Sequence, residues 1–127
     1  MTTSRILIAE PDSELVSSFD LRLQAAGYQT LTARDGLEAT RLAMDEQPDL
    51  ILLRQSLPAG DGHLVYERLG HIEATSGIPV VLLCGCASGD AGSCGAETAG
   101  HCLAAPYETE ALLRTVAANL ERARQIS

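Results

Sequence analysis

No stretch of this 127-residue chain approaches the ~20 consecutive apolar residues that a membrane-spanning helix requires, so no such span and no membrane partner are expected. The opening, Met1-Thr2-Thr3-Ser4-Arg5, lacks the charged-then-apolar pattern of a secretory leader. A cytoplasmic location follows as the expectation. Basic residues are also scarce, 9 Lys and Arg against 17 Asp and Glu, and they are scattered among the acids instead of forming a stripe. A net charge of −8 opposes a polyphosphate backbone, so this chain by itself is not expected to bind nucleic acid directly. A nucleic-acid-binding output domain on a longer polypeptide stays open. There is no internal repeat, linker or low-complexity tract, and with 46% hydrophobic residues the length supports one core, hence a single domain over residues 1–127.

The usual signatures of catalysis are missing as well. No Ser-His-Asp or Cys-His arrangement has supporting spacing, and no glycine-rich phosphate loop follows the first apolar segment. His63 and His71 read as surface residues. The four cysteines, Cys84, Cys86, Cys94 and Cys102, fall in one segment with His101, but no Cys-x-x-Cys pair occurs among them. No metal site is assigned. Cys84 and Cys102 read as small buried apolar residues on strands. Cys86 and Cys94 fall in a loop or frayed helix, where exposed thiols of lowered pKa would permit redox chemistry. The chain is not expected to be an enzyme.

What the chain does have is a regular alternation of short apolar runs and amphipathic stretches, the pattern of a doubly wound parallel sheet. Arg5 to Ala9 reads as the first strand. Asp12 or Ser13 caps a helix carrying Leu15, Val16, Phe19 and Leu23 at helical spacing, and Gly27 ends it. Tyr28 to Ala33 forms a second strand. Asp35-Gly36 opens a helix through Leu37, Ala39, Leu42 and Ala43 that stops before Pro48, since the residue preceding proline disfavours helical geometry. Leu50 to Leu53 is apolar at every position, as burial on both faces requires. A helix from His63 to Leu69, a strand from Ile78 to Cys84, a strand from Cys102 to Ala105 and a helix from Thr109 to about Arg124 complete the series.

Several of these segments resemble receiver domains of two-component response regulators. Ile6-Leu7-Ile8-Ala9-Glu10-Pro11-Asp12 is similar to the family's first strand and acidic turn, and Pro48 to Gly62 to its third strand and following loop. Ala33-Arg34-Asp35-Gly36-Leu37-Glu38-Ala39 is similar to the start of the second helix, Ile78 to Leu83 to the fourth strand, and Ala105-Pro106-Tyr107 to the turn after the fifth. The resemblance implies a single (βα)5 flavodoxin-like α/β domain with five parallel strands in the order 2-1-3-4-5.

It also implies a pocket at the carboxyl ends of the strands. Two acids after the first strand and a phosphoacceptor aspartate ending the third hold Mg²⁺, while a hydroxyl after the fourth strand and a lysine after the fifth contact the phosphoryl group. Here those five positions are Glu10, Pro11, Arg54, Cys84 and Ala105, so a single functional type survives. Asp49, at the far end of its strand, and Asp61, in an Asp-Gly turn, do not replace the acceptor. Asp12 could reach back toward the pocket, yet Asp12 with Glu10 still lacks a third carboxylate. Neither Mg²⁺ nor any other cofactor is expected.

Arg54 carries only donors and cannot act as a nucleophile. Beside Glu10 it could supply a fixed positive charge through an ion pair; the alternatives are a solvent-facing side chain at the rim or a seat for a small anion. The glycine-rich stretch Ser88 to Glu97 occupies the expected fourth helix, where interior glycines cost about 1 kcal/mol each. It reads either as altered partner contacts or as an idle loop. The expected function is a degenerate receiver-like signalling domain that works through protein partners, such as a signalling kinase, an output domain or a second copy, without an aspartyl-phosphate switch. The alternative is a thiol or metal sensor on the same fold.

Overall fold

In a computed structural model, residues 3–54, 62–84, 102–104 and 109–126 are described. The expected fourth helix, with Cys86, Cys94 and His101, lies outside these residues, as do Asp61 and Ala105. Nine elements alternate along the chain: β1 (Arg5–Ala9), α1 (Ser13–Ala25), β2 (Gln29–Ala33), α2 (Gly36–Glu46), β3 (Leu50–Arg54), α3 (Gly62–His71), β4 (Val80–Cys84), β5 (Cys102–Ala104) and α4 (Thr109–Ile126). The strands form one parallel sheet in the order β2-β1-β3-β4-β5.

Strand periodicity sorts the core into two layers. Ile6, Ile8, Leu50, Leu52, Val81 and Leu83 face one side, where Phe19 and Leu23 of α1 and Leu112, Val116 and Leu120 of α4 cover them. Leu7, Ala9, Ile51, Leu53, Val80 and Leu82 face the other side, under Ala39 and Ala43 of α2 and Val65 and Leu69 of α3. Small residues recur where α2 meets the sheet, Ala9 and Ala33 below and Ala39 and Ala43 above, so that helix needs no large side chain to close its layer. β2 is an edge strand and correspondingly half-exposed at Thr30 and Leu31.

Local chemistry sets the boundaries. Asp12 is the cap of α1, its carboxylate accepting from the Glu14 and Leu15 N–H groups. The helix closes with the Tyr28 N–H donating to the Leu23 carbonyl, over Gly27 at φ 96°, a left-handed conformation that favours glycine. Asp35 caps α2 by accepting from the Glu38 N–H at 2.8 Å, while Glu38 accepts from the Arg34 N–H at 3.0 Å. α2 ends on Gln47 in the left-handed region, one residue before Pro48.

The starts of two strands differ from expectation. β4 starts at Val80 instead of Ile78 because the Ile78 N–H is taken by a turn to the Thr75 carbonyl, and the ladder begins with Ile51 donating to the Pro79 carbonyl. β2 starts at Gln29, since the Tyr28 N–H closes α1. Leu37 is 68% exposed, whereas Ala39 and Ala43 are buried. It lies a third of a turn off the core stripe of α2.

At the amino-terminal pole, Arg5 ties three segments together. Its N–H donates to the Asp49 carboxylate at 2.8 Å, and its guanidinium meets the Glu46 carboxylate at 3.2 Å and the Glu46 carbonyl at the end of α2. No described helix is long and apolar enough to cross a membrane.

Replacing the fully buried Phe19 by alanine should cost about 3–5 kcal/mol in urea unfolding. Leu21→Ala, two residues away on the same helix but 75% exposed, should change stability by less than about 0.5 kcal/mol.

Candidate functional site at the carboxyl ends of β1 and β3

The order β2-β1-β3 reverses direction between β1 and β3, and the crevice outside the carboxyl ends of two such strands is where doubly wound sheets place ligands. The ladder there runs Ile6 with Leu50 up to Ala9 with Leu53. The residues one step further are Glu10 and Arg54. Glu10 is held in line with the sheet by its N–H, which donates to the Ala33 carbonyl at 3.0 Å.

The two side chains meet. Arg54 Nη1 lies 3.1 Å from Glu10 Oε2 and 3.3 Å from Oε1, so one nitrogen spans both oxygens. The Glu10 side chain is fully buried and that of Arg54 is 27% exposed. Oε1 also accepts from the Asp12 N–H at 3.2 Å. A fully buried carboxylate needs a compensating charge, and here the guanidinium supplies it. The contact is end-on, as an ammonium or a metal ion would make it, and does not use the two-pronged fork that arginine usually offers a carboxylate.

The surrounding residues are distributed away from this pair. Asp12 is nearest in sequence, but its carboxylate is committed to the first turn of α1. Pro11 is exposed and has no ligand atom. Asp49 stands at the opposite pole, its carboxylate on the Arg5 N–H. Cys84 ends β4 with its backbone paired to Ala104, while its side chain, like that of His63, is not described. His71 is exposed at the end of α3. Among the described residues no three His, Cys, Asp or Glu side chains converge as a metal site would require. The sequence left Asp12 undecided between capping and reaching into the pocket, and only the helix geometry assigns it to the cap.

Arg54→Ala should lower stability by about 3 kcal/mol, because it leaves a buried carboxylate uncompensated. Arg54→Lys should retain most of that stability, since a single nitrogen makes the contact. Equal melting temperatures for Arg54→Ala and the unsubstituted protein would contradict this account of the pair.

Comparison with known proteins agrees with this architecture. Residues 6–117 match the response regulator receiver domain. The DNA-binding dual master transcriptional regulator RpaA of Synechocystis is 36% identical over 123 residues, 96% of this chain and 51% of that protein. The transcriptional regulatory protein PrrA of Mycobacterium tuberculosis is 32% identical over 123 residues, again 96% of this chain and 52% of that protein. The chain therefore spans about half the length of these relatives. Among solved structures, a response regulator from Chloroflexus aurantiacus superposes with a TM-score of 0.85 at 28% identity, covering 94% of this chain and 99% of that one. The receiver domain of the sensor histidine kinase PA1611 from Pseudomonas aeruginosa, solved with a magnesium ion in its active-site cleft, gives 0.83 at 24% identity over 94% and 99% of the two chains, and speaks for the fold alone. With the family match running from β1 into α4, this chain belongs to the response regulator receiver domains of two-component systems.

Proposed function

We propose that this receiver domain signals by binding protein partners without accepting a phosphoryl group. The observation that carries the reading is the Arg54 guanidinium at the end of β3, seated on the buried Glu10 carboxylate. A guanidinium cannot attack phosphorus. Its positive charge beside Glu10 would supply the counter-charge that a metal ion supplies to incoming phosphate oxygens. With Glu10 engaged through both oxygens, Asp12 capping α1 and Pro11 without a donor atom, no set of carboxylates is left among the described residues to hold Mg²⁺.

Losing the phosphoryl ligand removes the differential binding that would shift populations at this cleft. The domain then holds a fixed conformation, or takes one imposed by a partner. Suitable partners are a signalling kinase or an output domain, with the whole of residues 1–127 acting as one cytoplasmic, non-enzymatic domain. RpaA is named as DNA-binding, and this chain covers about half of it. The net charge of −8 favours leaving any nucleic-acid contact to a separate domain.

Incubation with Mg²⁺ and acetyl phosphate, followed by intact-mass measurement, is expected to give no phosphoryl adduct. Fluoroberyllate with Mg²⁺ is expected to leave the amide resonances of Glu10 and Arg54 unmoved. The variant Pro11→Asp/Arg54→Asp, which restores two carboxylates beside Glu10, should gain Mg²⁺-dependent shifts at those amides. An adduct on the unsubstituted protein would overturn the proposal.

A further inference from the structure

Only Glu10, Pro11 and Asp12 separate β1 from α1, and hydrogen bonds fix that link at both ends. Glu10 is held by its N–H on the Ala33 carbonyl and by Arg54 Nη1 on its buried carboxylate. Pro11 has no N–H to offer. Asp12 is held through three groups. Its N–H donates to Glu10 Oε1 at 3.2 Å, its Oδ1 accepts from the Glu14 N–H at 2.9 Å, and its carbonyl accepts from the Val16 N–H at 3.0 Å. An unbroken series of hydrogen bonds therefore runs from the end of β3, through Glu10 and Asp12, into the first turn of α1.

We propose that Arg54 is a latch on the start of α1, a positioning residue that acts through Glu10. A capping residue must keep an extended backbone while the next residue turns helical, and Asp12 does so at φ −81° and ψ 112°. Its N–H is fixed by a carboxylate whose buried charge must be met inside the protein. The guanidinium meets that charge, keeps Oε1 in place and so sets the cap. When the guanidinium is withdrawn, Glu10 turns out toward water, the Asp12 N–H loses its acceptor and the first turn opens.

The later turns of α1 do not depend on the latch. Phe19 and Leu23 are buried against the sheet, and Asp20 accepts hydrogen bonds from Gln24 and from Thr30 of β2. Those turns stay docked while the exposed Ser13 and Glu14 come free, a local opening that leaves the fold intact. Exposure gives the device a direction. Glu10 is sealed and Arg54 is 27% exposed, so a protein partner reaches the cleft at the guanidinium and the response appears at α1. The inference rests on the contact between Arg54 and Glu10 and not on the absence of phosphoryl transfer. Its test uses neither Mg²⁺ nor a phosphoryl donor, so the two readings fail separately.

Amide hydrogen exchange on the full chain, read by NMR, tests the latch. Arg54→Ala should speed exchange of the Asp12, Glu14 and Val16 amides about tenfold, the scale of a lost helix cap. Arg54→Lys should keep them protected, because a single nitrogen makes the contact. Leu69→Ala, at a buried position of α3, lowers global stability and should leave these three amides unchanged, since they exchange by local opening. Arg54→Gln, which drops the charge and keeps a donor, should also speed their exchange and carries the comparison if Arg54→Ala does not fold. Unchanged first-turn exchange in the Ala or Gln variant, or an equal rise in Leu69→Ala, would overturn the proposal.

Discussion

A parallel sheet covered by helices on both faces cannot carry a charge along its inner strands, and this constraint arranges everything else in the domain. In β1 and β3 the residues Ile6 to Ala9 and Leu50 to Leu53 are buried without exception. Polar chemistry is displaced to the strand ends. At the amino-terminal pole Arg5 and Asp49 hold the start of the sheet to the end of α2. At the carboxyl pole the same displacement leaves Glu10 and Arg54 on adjacent strands, one residue beyond the last paired positions.

The two poles differ in how far their charges are exposed. Arg5 and Glu46 are 33% and 45% exposed, and a pair so well solvated contributes little beyond orientation. Glu10 is fully buried, so its charge must be met inside the protein. Arg54 meets it from a half-buried position at the end of a strand whose backbone is hydrogen-bonded on both sides. A mobile divalent ion would have to be recruited and could be lost. A covalently attached cation is always present beside Glu10.

How much of this could be read from residues alone depended on whether one element or two supplied the answer. The strands were legible because each is a short apolar run bounded by turn residues, and α1 because Phe19 and Leu23 recur at helical spacing between Asp12 and Gly27. Leu37 is apolar yet exposed, and its place against the sheet was not legible from residue type. It sits one residue off the stripe, where the small Ala39 and Ala43 already close the layer. The start of β4 was misplaced because Ile78 and Pro79 look like strand residues, while the turn from Thr75 claims the Ile78 N–H.

The sequence by itself determined the alternation of elements, the order in which a doubly wound sheet can take them, and the presence of a guanidinium at residue 54. Those follow from periodicity and residue chemistry, which are local. Only the tertiary structure decided that Arg54 lies on Glu10 and not in solvent, that Asp12 serves α1 and not the cleft, and that Leu37 and Met44 share an uncovered flank. Each of these depends on the distance between groups far apart in the chain or on the phase of a helix against its sheet, and packing sets both.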